Sequence, residues 1–136
     1  MNKAIHVAVG VVVNANQDVL ISLRAAHQHQ GNRWEFPGGK VEAGESVLQS
    51  LNRELAEELG IRVQQAEPLC TIEHAYSDKT VLLDVWWVTA ITGQVQALEG
   101  QEWRWVPADT LAEYNFPAAN VPILQAIAKK LIVPLA

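Results

Sequence analysis

Three glutamates, Glu54, Glu57 and Glu58, stand at i, i+3 and i+4 in the run Arg53-Glu54-Leu55-Ala56-Glu57-Glu58-Leu59. On a helix turning about 100° per residue they share one face. Like charges at this spacing destabilise a helix by about 0.2–0.5 kcal/mol per pair, so a sequence selected for stability alone would interleave lysines. The only cation in this run is Arg53, which as the i−4 neighbour of Glu57 can pair with a carboxylate and hold its rotamer. Carboxylate oxygens crowded on a rigid face suit a hard divalent cation. Mg²⁺ takes near-octahedral oxygen ligands, keeps several waters and commonly sits between carboxylates and a substrate's phosphates. Taken alone, three glutamates more often describe a solvated acidic helix face. Pro37-Gly38-Gly39, upstream, adds a tight turn whose backbone carbonyls offer a neutral oxygen ligand and whose missing Cβ atoms let a phosphate approach.

The acidity is concentrated. Six of the 15 carboxylates (Glu35, Glu42, Glu45, Glu54, Glu57 and Glu58) fall within the 24 residues from Glu35 to Glu58. Against 10 Lys and Arg they leave a formal charge of 10 − 15 = −5 over 136 residues. That balance excludes a protein that holds a nucleic-acid backbone through a basic face. The length is one domain's worth, and 49% hydrophobic residues suffice for its core, which excludes disorder. Cys70 is the only cysteine, so an intrachain disulfide and a cysteine-rich zinc site are both excluded, and its apolar neighbour Leu69 points to a buried, inert thiol. The start, Met1-Asn2-Lys3-Ala4-Ile5-His6, lacks the features of a secretory signal, and no apolar run approaches the ~18 residues of a membrane span. The expectation is a cytoplasmic protein.

These residues need a scaffold. Ala4 to Val13 and Val19 to Leu23 read as strands joined by the polar turn Asn14–Asp18, and so as a hairpin. A polar, aperiodic loop follows from Arg24 to Arg33. Leu48, Leu51, Leu55 and Leu59 recur at spacings of three and four, which predicts a helix from Ser46, a plausible cap, to Leu59, closed by Gly60. Further strands are expected at Leu69 to Tyr76, Val81 to Ile91 and Trp103 to Val106, the first two joined by Ser77-Asp78-Lys79. A last helix is expected from Pro122 to Ile132, with Asn120 just ahead of it. The order predicts a single α+β domain, a mixed sheet with helices packed on it.

One register is specific. Gly39, five residues, Glu45, seven residues, then Arg53-Glu54-Leu55-Ala56-Glu57-Glu58-Leu59-Gly60-Ile61 fills all nine defined positions of the Nudix box, G-x5-E-x7-R-E-U-x-E-E-x-G-U, in 23 residues. The chain is accordingly identified as a member of the Nudix hydrolase family. Outside the box it resembles the MutT-type 8-oxo-dGTP diphosphatases through Arg24-Ala25-Ala26-His27-Gln28-His29, Glu35-Phe36-Pro37-Gly38-Gly39-Lys40 and Phe116-Pro117-Ala118-Ala119-Asn120-Val121-Pro122. It departs from them at Leu23, where a second basic residue is common, and at Trp34, which replaces a smaller apolar residue.

The resemblance implies an α/β/α sandwich around a mixed sheet. It also implies an Mg²⁺-dependent enzyme, with Mn²⁺ a possible substitute, that cleaves 8-oxo-dGTP to 8-oxo-dGMP and pyrophosphate and so keeps a mutagenic nucleotide from DNA. By the same carry-over, Gly38, Glu54, Glu57 and Glu58 hold the metal, and Arg53, Glu54, Glu57 and Glu99 serve catalysis, with Glu54 or Glu99 orienting or deprotonating the attacking water. Arg24, His29, Glu35, Phe36, Pro37, Gly38 and Asn120 bind the nucleotide, Asn120 through the purine. The expected partner is this small nucleotide, bound by a monomer that engages neither nucleic acid nor membrane. Plainer alternatives stand beside these roles. Asn120 also suits a helix cap, Lys79 a turn, Glu99 a surface loop, and the tryptophans the core. Other readings are a Nudix hydrolase of ADP-ribose, a dinucleoside polyphosphate or an ordinary NTP, and a non-catalytic nucleotide-binding domain.

Overall fold

A computed structural model describes residues 4–24 and 32–131. Strand β1 (Ile5–Val12) is β-branched or small at every position but His6 and carries apolar residues on both faces. It therefore lies inside the sheet, as such two-sided strands must. Strand β4 (Gly38–Lys40) pairs antiparallel with it on one side. On the other, β6 (Thr80–Thr92) runs parallel to it, from Ile5 opposite Val81 to Val12 opposite Val88. β5 (Arg62–Ala75) completes the four-stranded mixed sheet in the order β4-β1-β6-β5. β2 (Asp18–Leu23), β3 (Trp34–Glu35) and β7 (Trp103–Pro107) form a second, antiparallel sheet ordered β3-β2-β7.

The hairpin expected from β1 and β2 is thus not formed. Both sides of β1 are taken by β4 and β6, so the turn keeps the bridge Val13–Val19 and the Asn14 N–H to Asp18 O bond (3.1 Å) while the two strands enter different sheets. β5 begins seven residues before the expected Leu69, at Arg62. Polar Gln64-Gln65 and Pro68 obscure the strand in the sequence, and register irregularities between Val63 and Ala66 and between Pro68 and Cys70 accommodate them at this edge.

Helix α1 (Val47–Leu59) forms where its leucines predict. Ser46 Oγ accepts from Gln49 N–H (3.1 Å) and Gln49 Oε1 from Ser46 N–H (2.8 Å), a capping box, while Gly60 closes the far end at φ 71°. Leu51, Leu55 and Leu59 are fully buried against Ala8, Val12, Leu20, Ile61 and Val88. Leu48 departs from the expectation and stays 36% exposed, because the first turn stands beside the β5 edge, in a groove with Val63–Glu67 and Thr89. On the opposite face of the sheet, Val9, Val11, Val85 and Trp87 pack with Phe36, Phe116, and Ile123 and Ile127 of α2 (Val121–Leu131). Cys70 is half-buried rather than buried as expected, and burial pushes its thiol up. Among the described residues no helix is long and apolar enough to cross a membrane.

Since Leu55 is central in the α1 packing, Leu55→Ala should cost about 2–5 kcal/mol of stability in urea unfolding.

Candidate active site

Arg53 organises the acidic cluster. Its Nε donates to Glu45 Oε2 (2.7 Å) and its Nη2 to Glu45 Oε1 (3.0 Å), a two-pronged pairing. Nη1 donates to Glu54 Oε1 (2.8 Å) and stands 3.6 Å from Glu57 Oε2, and Nη2 also donates to the Lys40 carbonyl (3.1 Å). The sequence suggested one carboxylate partner; the fold supplies three. Glu45 also accepts from the Glu42 N–H (2.9 Å). Arg53 and that amide hold the Glu45 carboxyl down at about 2, and the same carboxylates raise Arg53 above its usual range.

Glu54 points to the glycine turn. A Cβ on Gly39 would lie 2.3 Å from the Glu54 carboxyl carbon, so only glycine leaves room for the carboxylate there. Gly38, at φ 154°, would place a Cβ 2.0 Å from the Ala8 carbonyl, because β4 lies tight against β1. The Pro37 carbonyl accepts from Gly10 N–H (2.8 Å), tying the same turn to β1. These contacts explain why Pro37-Gly38-Gly39 must precede an acidic helix in this fold.

Glu58 is the group under greatest electrostatic load. Burial, then a hydrogen bond and charge from Glu54, then the charges of Glu35 and Glu99, push its carboxyl up to about 10. Four carboxylates from three parts of the chain therefore act on one another. Such an arrangement fits a divalent cation, whose charge would offset theirs beside Gly39, where the Glu54 carboxylate rests. Glu57 is more outward, 56% exposed against 17% for Glu54, and directed to Arg53. Among the described residues no three acidic, histidine or cysteine side chains already form a closed metal-binding group, so the fit rests on the charge crowding and the Gly39 cradle.

Next to this cluster lies a cleft of about 280 Å³. Arg24, Glu35, Phe36, Gly38 and Asn120, all expected at a ligand, line it. Arg24 Nη1 donates to Glu35 Oε1 (2.7 Å), and burial raises the Glu35 carboxyl against the lowering pull of Arg24. Phe36 is held by stacking on Phe116, with centroids 5.0 Å apart. Asn120 lines the cleft and ends the short 3-10 turn Ala118–Asn120 directly before α2. Pro37 is buried behind the cleft, and His29, with His27, lies outside the described residues. Trp34 packs away from the site, edge-on to Tyr114 (5.4 Å) with the Arg104 guanidinium over its ring (5.0 Å).

Sequence reasoning missed several of the lining residues. Val7, Val81 and Leu83 form an apolar surface from β1 and β6, and Val7 lies opposite Leu83 in the register. Tyr76 comes from the β5–β6 turn together with Lys79, which lines the cleft as well as forming the turn. Their signal was the length of β5 and β6, which carries that turn to the cleft.

Comparison with known proteins agrees with this geometry. Residues 8–126 match the NUDIX domain family. The 8-oxo-dGTP diphosphatase of Escherichia coli K12 is 38% identical over 122 residues, covering 90% of this chain and 95% of that protein. The CTP pyrophosphohydrolase of the same organism is 35% identical over 118 residues, 87% of each. A structure solved in work on MutT from Aliivibrio salmonicida and Vibrio cholerae superposes with a TM-score of 0.81 at 42% identity, covering 93% of this chain and 99% of that one. The chain belongs to the Nudix family, whose hydrolases generally require a divalent metal.

A carboxyl raised from its ordinary 4.5 to about 10 contributes stability that is complete below pH 4.5 and is lost as pH rises toward 10. In EDTA at pH 8, Glu58→Gln should therefore raise Tm by about 3 °C or more. Added divalent cation should stabilise the wild type more than this variant. Calorimetric melting of both proteins checks the prediction.

Proposed function

We propose that this protein is an Mg²⁺-dependent nucleotide pyrophosphohydrolase that converts 8-oxo-dGTP and water to 8-oxo-dGMP and pyrophosphate. The observation that carries the reading is the continuity of two unlike environments. A cleft lined by Phe36, Asn120, Val81 and Leu83 opens onto Gly38-Gly39, against which the Glu54 carboxylate rests. A base would occupy the first and a polyphosphate the second. The high identity to a named 8-oxo-dGTP diphosphatase, over nearly its full length, supports the same substrate.

The chain's own groups divide the work. Asn120 hydrogen-bonds the modified purine, Phe36 packs on it, and Arg24, oriented by Glu35, contacts the nucleotide; His29, outside the described residues, is a further nucleotide contact by the family resemblance alone. Glu54, Glu57, Glu58 and the Gly38 carbonyl would hold Mg²⁺, for which Mn²⁺ would substitute, and which when bound would offset phosphate charge and acidify water. Arg53 keeps Glu54 and Glu57 in place. Glu54 or Glu99 orients the water and takes its proton as the new bond forms at the β-phosphorus and the bond to the α-bridging oxygen breaks. Removing 8-oxo-dGTP in this way, as a cytoplasmic monomer, would prevent its incorporation into DNA.

A buried polar group left unpaired costs about 1–3 kcal/mol, so the site should prefer 8-oxo-dGTP over dGTP by about tenfold or more in kcat/KM. Pyrophosphate release from a panel of nucleotides with Mg²⁺ measures this. Asn120→Ala should lower kcat/KM on 8-oxo-dGTP about 10- to 100-fold and narrow the preference. Equal efficiency on dGTP and 8-oxo-dGTP would remove the specificity claim. Highest efficiency on CTP would instead align the chain with its CTP pyrophosphohydrolase relative.

A further inference from the structure

The carboxylates of the site come from segments with no covalent reason to keep a fixed separation. Helix α1 brings Glu54, Glu57 and Glu58, whereas Glu99 stands in the irregular stretch between β6 and β7. That stretch is docked on the C-terminus of α1. The last carbonyls of a helix lack partners within it, and here Gln96 N–H donates to Leu59 O (2.9 Å) and Leu98 N–H to Glu58 O (3.2 Å). The approach is close: a Cβ on Gly93, which sits at φ 91°, would lie 2.6 Å from the Gly60 carbonyl. Gly100, at φ 75°, donates its N–H to Ala97 O (3.1 Å) and turns the chain so that Gln101 points back toward α1.

Gln101 uses both ends of its amide. Nε2 donates to the Glu58 carbonyl (2.9 Å), and Oε1 accepts from the N–H of Glu99 itself (3.1 Å). One side chain thereby links the backbone of Glu99 to the helix turn that carries Glu57 and Glu58. The amide is chemically matched to this position, because it must donate to a carbonyl and accept from an N–H at once. A carboxylate would meet the Glu58 carbonyl with no donor, and an apolar side chain would leave both ends of the link unmade. Glu99 is exposed, and its charge reaches both Glu35 and Glu58 as the weakest of the influences on each, so its placement bears on those two groups.

We propose that Gln101 is a positioning residue for hydrolysis, which sets where the Glu99 carboxylate stands relative to Glu54 and Glu58 without touching the substrate. The proposal rests on the reading that Glu99 takes part in the reaction. A displacement of about 1 Å in such a group can cost on the order of 100-fold in rate.

The test is a double-mutant cycle with Glu99→Gln and Gln101→Met, the latter similar in length but unable to make either bond. Pyrophosphate release from 8-oxo-dGTP with Mg²⁺ is measured together with amide hydrogen exchange at Glu99. Gln101→Met should lower kcat about tenfold or more, change KM less than about twofold, and add little further loss to Glu99→Gln. The Glu99 amide should also exchange faster while Tm stays near the wild-type value. If Gln101→Met folds poorly, Gln101→Glu, which keeps the length and the acceptor but loses the donor, carries the same measurement. Wild-type kcat in the Gln101 variant, an effect on KM alone, or a full multiplicative loss on top of Glu99→Gln would overturn the proposal. Wild-type kcat in Glu99→Gln would overturn the reading of Glu99 itself, and the proposal with it.

Discussion

Mutual repulsion among carboxylates is the constraint around which this protein is built. Burial first, then the hydrogen bond and charge of Glu54 and the charges of Glu35 and Glu99, push Glu58 far above the usual carboxylate range. A fold gains nothing in stability from such crowding, since desolvated like charges oppose folding. Arg53 offsets it only in part, because its strongest bonds go to Glu45 and Glu54 and leave Glu58 unaided. A proton on Glu58 relieves the crowding below its raised pKa, and a divalent cation would supply the compensating charge when all of these carboxylates are ionised.

The architecture supplies what that constraint demands. β1 is buried on both faces and so provides a rigid floor, against which Gly38 and Gly10 allow β4 and α1 to come close. Gly39 makes room for the Glu54 carboxylate, and the capping box at Ser46 and the Gly60 turn fix the two ends of α1. The β5–β6 turn and the Pro117–Asn120 segment close the cleft from sides remote in sequence. Acid and apolar surfaces thus meet along one edge of β4, which is where a ligand with a flat base and a charged tail would lie.

Much of this could be read from the residue order. The α1 leucines, the Ser46 cap, Gly60 and the acidic register are local patterns, and local hydrogen bonds and packing realise them. The family resemblance carried Arg24, Glu35, Phe36, Gly38 and Asn120, which the fold brings to one cleft. What escaped depends on long-range pairing. The separation of β1 from β2 follows from β4 and β6 claiming both sides of β1, and no local signal marks that competition. The start of β5 was hidden because its edge position tolerates Gln64, Gln65 and Pro68. Lys79 and Tyr76 reach the cleft only through the combined length of two strands, and the Gln101 bridge spans 43 positions to Glu58.

The central claim is that the crowded carboxylates exist to hold a divalent cation beside the glycine turn. Anomalous diffraction from crystals grown with Mn²⁺ and a non-hydrolysable 8-oxo-dGTP analogue tests it most directly. The account predicts a manganese peak at direct ligand distance from carboxylates of Glu54, Glu57 or Glu58 and from the Gly38 carbonyl, with the phosphates against Gly39. Manganese bound elsewhere, with Glu54 and Glu58 still in contact with each other and no metal between them and the phosphates, would contradict it.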